Sequence, residues 1–367
     1  MNNKTFKNMK IAIDCRMYKQ SGIGVFLENI LLVILERHKN HSFLLIGDSD
    51  QLSTLVSKNN NCSVLHCQIP IFSFNEIFNF PTNEINKCDV FYSPNYNIPG
   101  GIKIPIYSTI HDVVFLDVDG LTSKLGIFIR KIFLKRAIHK SKKIFTVSLF
   151  SKERIIYHLG SKKTIEITYN SIRHDLLDYN PINNSPLFNF PYIVFIGNIK
   201  KQKGLSVLLD AYNKITKNTD FSHKLVIVGN ADNFRTTDTL TESYITSKMN
   251  KNIVFTGHVS DDELYNILSH ADVLVQPSTY EGFGIPPMEA LYLGCNVLLS
   301  DIPVFKEIYG DFPVTFFRTN DVDDFGNKIV NICKFKKDIN VDNVRQLIKL
   351  KYDANKSVEI IIDSLSK

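Results

Sequence analysis

Short apolar runs rich in β-branched residues alternate with longer stretches of helical spacing along the whole chain. In the first half the runs are Lys10–Ile13, Ser42–Ile46, Ser63–His66, Asp89–Tyr92, Ile106–Ile110, Ile144–Val147 and Ile165–Thr168. That alternation predicts parallel strands joined by helices. Around Asn180–Pro191 the chain turns rich in Pro and Asn, which reads as a linker. A fresh series then begins with Tyr192–Gly197, Lys224–Gly229, Ile253–Gly257, Asp272–Val275 and Asn296–Leu299, a second α/β domain. The segment Asp353–Leu365 has helical spacing through Val358, Ile361, Ile362 and Leu365, and its apolar face must pack somewhere. No short repeat is present, which argues against a solenoid or propeller.

Composition narrows the class. With 367 residues, 44% of them hydrophobic, there is ample material for two cores. A net charge of +6 suits a nucleotide diphosphate or an anionic membrane surface, and decides little alone. Cys15, Cys62, Cys67, Cys88, Cys295 and Cys333 form no CxxC pair and no zinc-like cluster, so they read as reduced thiols of a cytoplasmic protein. Lys4, Lys7 and Lys10 precede a strand and not an apolar signal core, and no apolar stretch is long enough to span a bilayer, so membrane contact is expected to be peripheral.

The chemistry concentrates in Pro277–Gly294, PSTYEGFGIPPMEALYLG, which follows an apolar strand. Ligands of open α/β sheets bind beyond the carboxyl ends of strands. The segment offers Glu281, a Gly282-Phe283-Gly284 turn, prolines at a helix start, and Glu289 on that helix. A glycine-flanked loop entering a helix presents backbone N–H groups to an anion. Two ionised carboxylates are pure acceptors, each suited to a pair of sugar hydroxyls. The plainer reading of an isolated pair is a turn cap and a solvated helix residue.

Three other elements point the same way. Asn198-Ile199-Lys200-Lys201-Gln202-Lys203-Gly204 joins a strand to a helix at Leu205–Tyr212, where a lysine beside a glycine can neutralise a phosphate. Ser21-Gly22-Ile23-Gly24 follows the first strand and precedes a helix at Val25–Leu35, where glycines allow close backbone approach or simply make a tight turn. His111-Asp112 ends another strand. His111 there donates to a sugar hydroxyl or stabilises charge, with Asp112 fixing its tautomer or capping the next helix.

The two-glutamate segment resembles the signature of the large family of retaining glycosyltransferases with the GT-B fold, family four of the sequence-based classification, in which two acidic residues are separated by seven others. The order of first-strand glycines, His-Asp, TVSLFS with Ser148, the lysine-glycine helix and the two glutamates is similar over nearly the entire chain. The resemblance implies two doubly wound Rossmann-like domains facing a central cleft: an acceptor-binding domain over 1–185, a nucleotide-sugar domain over 186–350, and a terminal helix over 351–367 that packs back on the first. It implies that His111, Glu281 and Lys203 are catalytic, with His111 and Glu281 touching the donor sugar, Glu289 the ribose and Lys203 the diphosphate, and with Gly22, Gly24, Asn198, Gly282, Phe283 and Gly284 lining the donor site. Asn198 stands where the family often has an arginine, which leaves Lys200 or Lys201 as its substitute.

The expected activity is transfer of a hexose, with retained anomeric configuration, from a UDP- or GDP-linked sugar to an acceptor hydroxyl, in surface polysaccharide or lipid-linked saccharide assembly. No DxD-like pair stands out, so no metal or other cofactor is expected, nor a nucleic-acid partner. A sugar-nucleotide epimerase of similar outline and a non-catalytic subunit of a glycosyltransferase complex are the alternatives. An epimerase does not require Glu281 and Glu289, and a non-catalytic subunit would be expected to have lost the site. Lys124–Lys143 carries eight basic residues among apolar ones at helical spacing, and reads as a membrane-surface helix or a core helix with a solvated basic face. Ile71–Phe80 reads as a further membrane or acceptor surface, or as core.

Overall fold

A computed structural model describes residues 8–180, 185–198, 200–218, 220–229, 251–336 and 338–366. Lys4 and Lys7, part of the linker at 181–184, and Ile199 lie outside the described residues. The chain forms two α/β units, each with a parallel sheet. All six cysteines are free thiols.

The first unit comprises the described residues of Met1–Val113, Ser123–Ser171 and Tyr352–Lys367. Its strands are β1 (Lys10–Asp14), β2 (Ser42–Gly47), β3 (Cys62–His66), β4 (Val90–Ser93), β5 (Ile106–Thr109), β6 (Ser141–Thr146) and β7 (Ile165–Ile167), in the order β3-β2-β1-β4-β5-β6-β7. Helices cover both faces of such a sheet, so the central strands are apolar throughout rather than alternating. Ile11 of β1 stands beside Phe43 of β2 and Val90 of β4. The Ser21–Arg37 helix buries Leu27, Ile30, Leu31 and Ile34 against this sheet. The Ala354–Leu365 helix joins the same core through Val358, Ile361, Ile362 and Leu365. Each such side chain, fully buried, contributes about 2 kcal/mol. Asp353 caps that helix at the Asn355 amide, and Ser357 donates to the Tyr169 carbonyl.

The second unit comprises Val114–Thr122 and the described part of Ile172–Lys351. Its strands are β8 (Tyr192–Ile196), β9 (Lys224–Val228), β10 (Ile253–Gly257), β11 (Val273–Gln276), β12 (Asn296–Ser300) and β13 (Thr315–Phe317), in the order β10-β9-β8-β11-β12-β13. The unit begins upstream of the Pro- and Asn-rich stretch because Arg173 and Asp175 are bonded to Glu289 and Tyr265 within it. β13 escaped the sequence reading because it is only three residues long and pairs with β12 alone.

Both strand orders reverse direction once, between β1 and β4 and between β8 and β11. Loops leaving the two strands at such a point diverge to opposite faces and open a crevice at the strands' carboxyl ends. Gly22 follows β1, while Lys203 follows β8 and Glu281 follows β11.

Candidate active site

Glu281 is built from the strand end outward. β11 ends in Gln276, and the buried Ser278 donates from Oγ to Glu281 Oε1 at 2.7 Å, with Gln276 Nε2 3.4 Å away. Lys203 Nζ lies 2.6 and 2.9 Å from the two oxygens of Glu281. The lysine arrives on the single turn Lys201–Lys203, whose Gln202 carbonyl accepts from the Thr279 amide at 2.8 Å. Gly204 closes that turn at φ 67°, and a Cβ there would sit 2.0 Å from the Pro277 carbonyl oxygen. Only glycine allows the two loops to touch. The Lys203 and Glu281 side chains are 22% and 10% exposed. Lysine has three N–H donors, so two bonds to Glu281 leave one for a ligand.

Gly284 is the N-cap of the Ile285–Tyr292 helix, and its carbonyl accepts from the Tyr309 hydroxyl. Pro286 and Pro287 stand in the first turn and have no N–H, so this helix start offers fewer donors than its sequence suggested. Phe283 is buried at 2% exposure, which leaves its ring in the core and not open to a ligand. Glu289 points inward and is fully buried, with Arg173 Nη1 at 3.0 and 2.9 Å from its oxygens. Arg173 Nε is 3.6 Å from Asp261, and the Tyr265 hydroxyl donates to Asp175 at 2.8 Å. Burial raises the Glu289 carboxyl above its usual range, and Arg173 counters this only in part. Burial opposes the Arg173 charge as well, yet Glu289 and Asp261 outweigh it and the guanidinium titrates above its usual value. Sequence reasoning missed Arg173, Asp175 and Tyr265. Their one local signal is that Arg173 follows β7 closely.

The other expected residues fall as follows. Asn198 and Lys200 are exposed, and Lys201 donates to the Asp119 carbonyl at 3.1 Å, which leaves Lys200 as the less committed substitute for an arginine. Gly22 and Gly24 are not a loop before a helix. They form its first turn, because the Ser21–Arg37 helix starts four residues earlier than expected, with the Gly24 amide donating to Gln20. A Cβ on Gly24 would lie 2.6 Å from the Met17 carbonyl, whereas one on Gly22 meets nothing within 4 Å. Gly24 therefore has a packing reason and Gly22 has none inside the chain. Ser148 caps the helix Leu149–Leu159 through the Ser151 amide at 3.0 Å.

His111 ends β5 with Nε2 2.8 Å from the Pro94 carbonyl and its ring edge-on to Phe26 at 4.9 Å. Only a protonated Nε2 can donate to that carbonyl, so Pro94 fixes the tautomer and leaves Nδ1 as an acceptor. Burial lowers its pKa to about 4, so the ring is neutral at physiological pH and cannot stabilise charge as a cation. The first unit also holds a cavity of about 330 Å³ beyond β1, β2 and β3, lined by Gln20, Asp48, Gln51 and Gln68 together with Met17 and Ile71. Its wall is fixed by the buried Arg16, which bonds Asp14 at 2.9 and 2.6 Å, Glu76 at 2.5 Å and the Ile69 carbonyl at 2.9 Å.

The profile of the family described as Glycosyl transferases group 1 matches residues 183–345, the stretch that carries Lys203, Glu281 and Glu289. The chain is 26% identical over 249 residues to O-antigen chain mannosyltransferase B of Escherichia coli, covering 65% of this chain and 63% of that protein. It is 31% identical over 204 residues to O-antigen chain mannosyltransferase RfbU of Salmonella typhimurium, covering 54% and 53%. The chain thus spans less than two thirds of the length of both these relatives. The crystal structure of Anabaena Alr3699/HepE in complex with UDP and glucose matches with a TM-score of 0.73 at 16% identity, over 98% of this chain and 100% of that one, a likeness of fold. The chain thus has two parallel-sheet α/β units of the GT-B type, and residues 183–345 within it match the glycosyl transferases group 1 family.

Proposed function

We propose that the chain is a retaining hexosyltransferase that moves a sugar from a UDP- or GDP-linked donor to a hydroxyl of a saccharide or lipid-linked saccharide, in surface polysaccharide assembly at the cytoplasmic face of a membrane. The observation that carries this reading is the Lys203–Glu281 pair, set by Gly204 at the ends of β8 and β11. The O-antigen mannosyltransferases among its relatives support a mannosyl donor, and the UDP and glucose in HepE keep a UDP-linked donor in view.

Each residue then has a task. Breaking the anomeric C–O bond leaves negative charge on the diphosphate and positive charge on the sugar. The Lys203 ammonium opposes the first without requiring a metal ion, and backbone amides of the 282–285 turn add to it. Its partner Glu281, relieved of the lysine, accepts from sugar hydroxyls. Glu289 accepts from the ribose, with Arg173 opposing the burial that disfavours its charge. His111 accepts a sugar hydroxyl at Nδ1, and Gly22 lets the helix start approach the ligand. The acceptor oxygen bonds to the anomeric carbon on the face the diphosphate leaves, and its proton passes to the departing phosphate oxygen. The amides of Gln20, Gln51 and Gln68 and the carboxylate of Asp48 suit the cavity of the first unit to a saccharide acceptor.

Calorimetric titration with UDP and with GDP in EDTA tests the donor site. One nucleotide binds the wild type, and Lys203→Ala and Glu289→Gln weaken it at least about tenfold, the loss expected of a charge-assisted hydrogen bond. Binding untouched by both substitutions would place the donor elsewhere. An inverted anomeric configuration in the product's NMR spectrum would remove retention.

A further inference from the structure

The Lys124–Lys140 helix is apolar on two sides. Leu134 and Ala137 are buried against the first unit, which uses up its core-facing stripe. The opposite side carries Leu125, Phe128, Ile129 and Ile132 at i, i+3, i+4 and i+7, which are 67%, 61%, 44% and 51% exposed. A helix on a soluble surface places polar residues there. The short Phe74–Phe78 helix adds Phe74 and Phe78, one turn apart and 86% and 77% exposed. Phe72 packs edge-on against Phe133 at 5.4 Å, so the two segments adjoin. These six side chains are nearly half of the thirteen exposed large hydrophobics among the described residues, gathered on two neighbouring helices.

Charge indicates what covers them. The helix holds Lys124, Arg130, Lys131, Lys135, Arg136 and Lys140 and no carboxylate. Arg136 is spent on the Ile98 and Pro99 carbonyls, each at 3.2 Å, and Arg130 reaches the Tyr96 hydroxyl at 3.3 Å, which fastens the helix to the unit. At 100° per residue Lys124, Lys131 and Lys135 run along one edge of the exposed stripe and Lys140 along the other. Long stems let these ammonium groups reach phosphates while the rings beside them enter the acyl boundary. A second copy of this chain would set the same lysines against themselves, an unfavourable juxtaposition. No described helix is long and apolar enough to cross a membrane, so this contact lies on the surface.

We infer that the outer stripe of Lys124–Lys140, with Phe74 and Phe78, is the face that seats the protein on an anionic bilayer. The inference deepens the proposed use of a lipid-linked acceptor. Ile71, beside the Phe72 that touches this helix, lines the acceptor cavity, so docking there brings the cavity wall towards the leaflet.

Co-sedimentation with vesicles of phosphatidylcholine alone, or mixed with phosphatidylglycerol, tests it. The wild type partitions onto the mixed vesicles, loses most of that binding at high salt, and ignores phosphatidylcholine. Phe128→Ser with Ile132→Ser lowers the partition at least about tenfold, two large apolar groups being withdrawn. Lys131→Glu with Lys135→Glu does so as well, and both variants keep wild-type nucleotide binding by calorimetry. Wild-type protein that stays in the supernatant with mixed vesicles overturns the inference. So do variants that sediment like the wild type, or a wild-type dimer that the Phe128 and Ile132 substitutions dissociate. Vesicle binding by a protein that takes neither UDP nor GDP upholds the face and fails the donor reading alone.

Discussion

The two units place opposite kinds of side chain at their strand ends. In the first, His111 is held neutral, with Nε2–H spent on a carbonyl and only a lone pair left to offer, and the cavity beyond β1, β2 and β3 sets three amides beside Asp48 and an Arg16 already paired with two carboxylates. In the second, two carboxylates are each matched by one cation: Glu281 by Lys203 near the surface, Glu289 by Arg173 in the interior. A lining without an unpaired cation can sort hydroxyl groups but cannot balance a diphosphate. Ion pairs can do both, because an arriving anion draws the lysine and frees the carboxylate for hydroxyls. On the proposed function, the contrast would leave the charged leaving group to the second unit and the uncharged acceptor to the first.

The sharpest way to break that contrast is at Glu289. Glu289→Ala leaves Arg173 partly buried without its carboxylate, and a loss of about 3 kcal/mol or more is expected in urea unfolding followed by a second-unit probe. Adding Arg173→Ala should recover part of it, and a loss below about 1 kcal/mol would mean that the pair is no lock.

Of similar size is the effect of acid on His111. The folded ring binds a proton only near pH 4, whereas the unfolded chain does so near 6.5. Between these values the unfolded chain holds more protons, so stability falls as pH drops through the window, by about 3 kcal/mol in full, and is untouched above it. His111→Gln should flatten that part of the stability curve between pH 4 and 6.5. An unchanged slope would mean that the imidazole is solvated.

Gly204→Ala forces a Cβ into the Pro277 carbonyl at a left-handed φ and should cost about 2 kcal/mol. Because the turn carries Lys203, the donor KM should rise with the falling Tm. Smallest is Gln68→Ala, which removes one amide from the cavity. An acceptor KM higher by about fivefold, one hydrogen bond's worth, is expected with nucleotide affinity unchanged.

Much of the fold could be read from the chain. Every apolar run singled out forms a strand, because parallel strands covered on both faces need unbroken apolar sequence. β13, at a sheet edge, lacks that signature. Lys203, Glu281 and Glu289 were visible because each sits at a glycine- or proline-marked strand exit. Arg173 was not, since its partner lies 116 residues away and nothing local records the pairing. For Lys124–Lys140 the sequence supplied both kinds of residue but could not say which side faces outward. The helix turns out to be apolar on the outside as well as within. Ile71–Phe80 divides in the same manner, with Phe80 buried and Phe74 and Phe78 exposed.

The Ala354–Leu365 helix bears on how the molecule is made. Its four core residues are translated after the whole second unit, yet they complete the interior of the first. A nascent chain therefore carries a sheet and a Ser21–Arg37 helix whose apolar groove stays open while the second unit is already able to fold. The order of completion on the ribosome runs opposite to the order of synthesis, since the first unit to be made is the last whose core is filled.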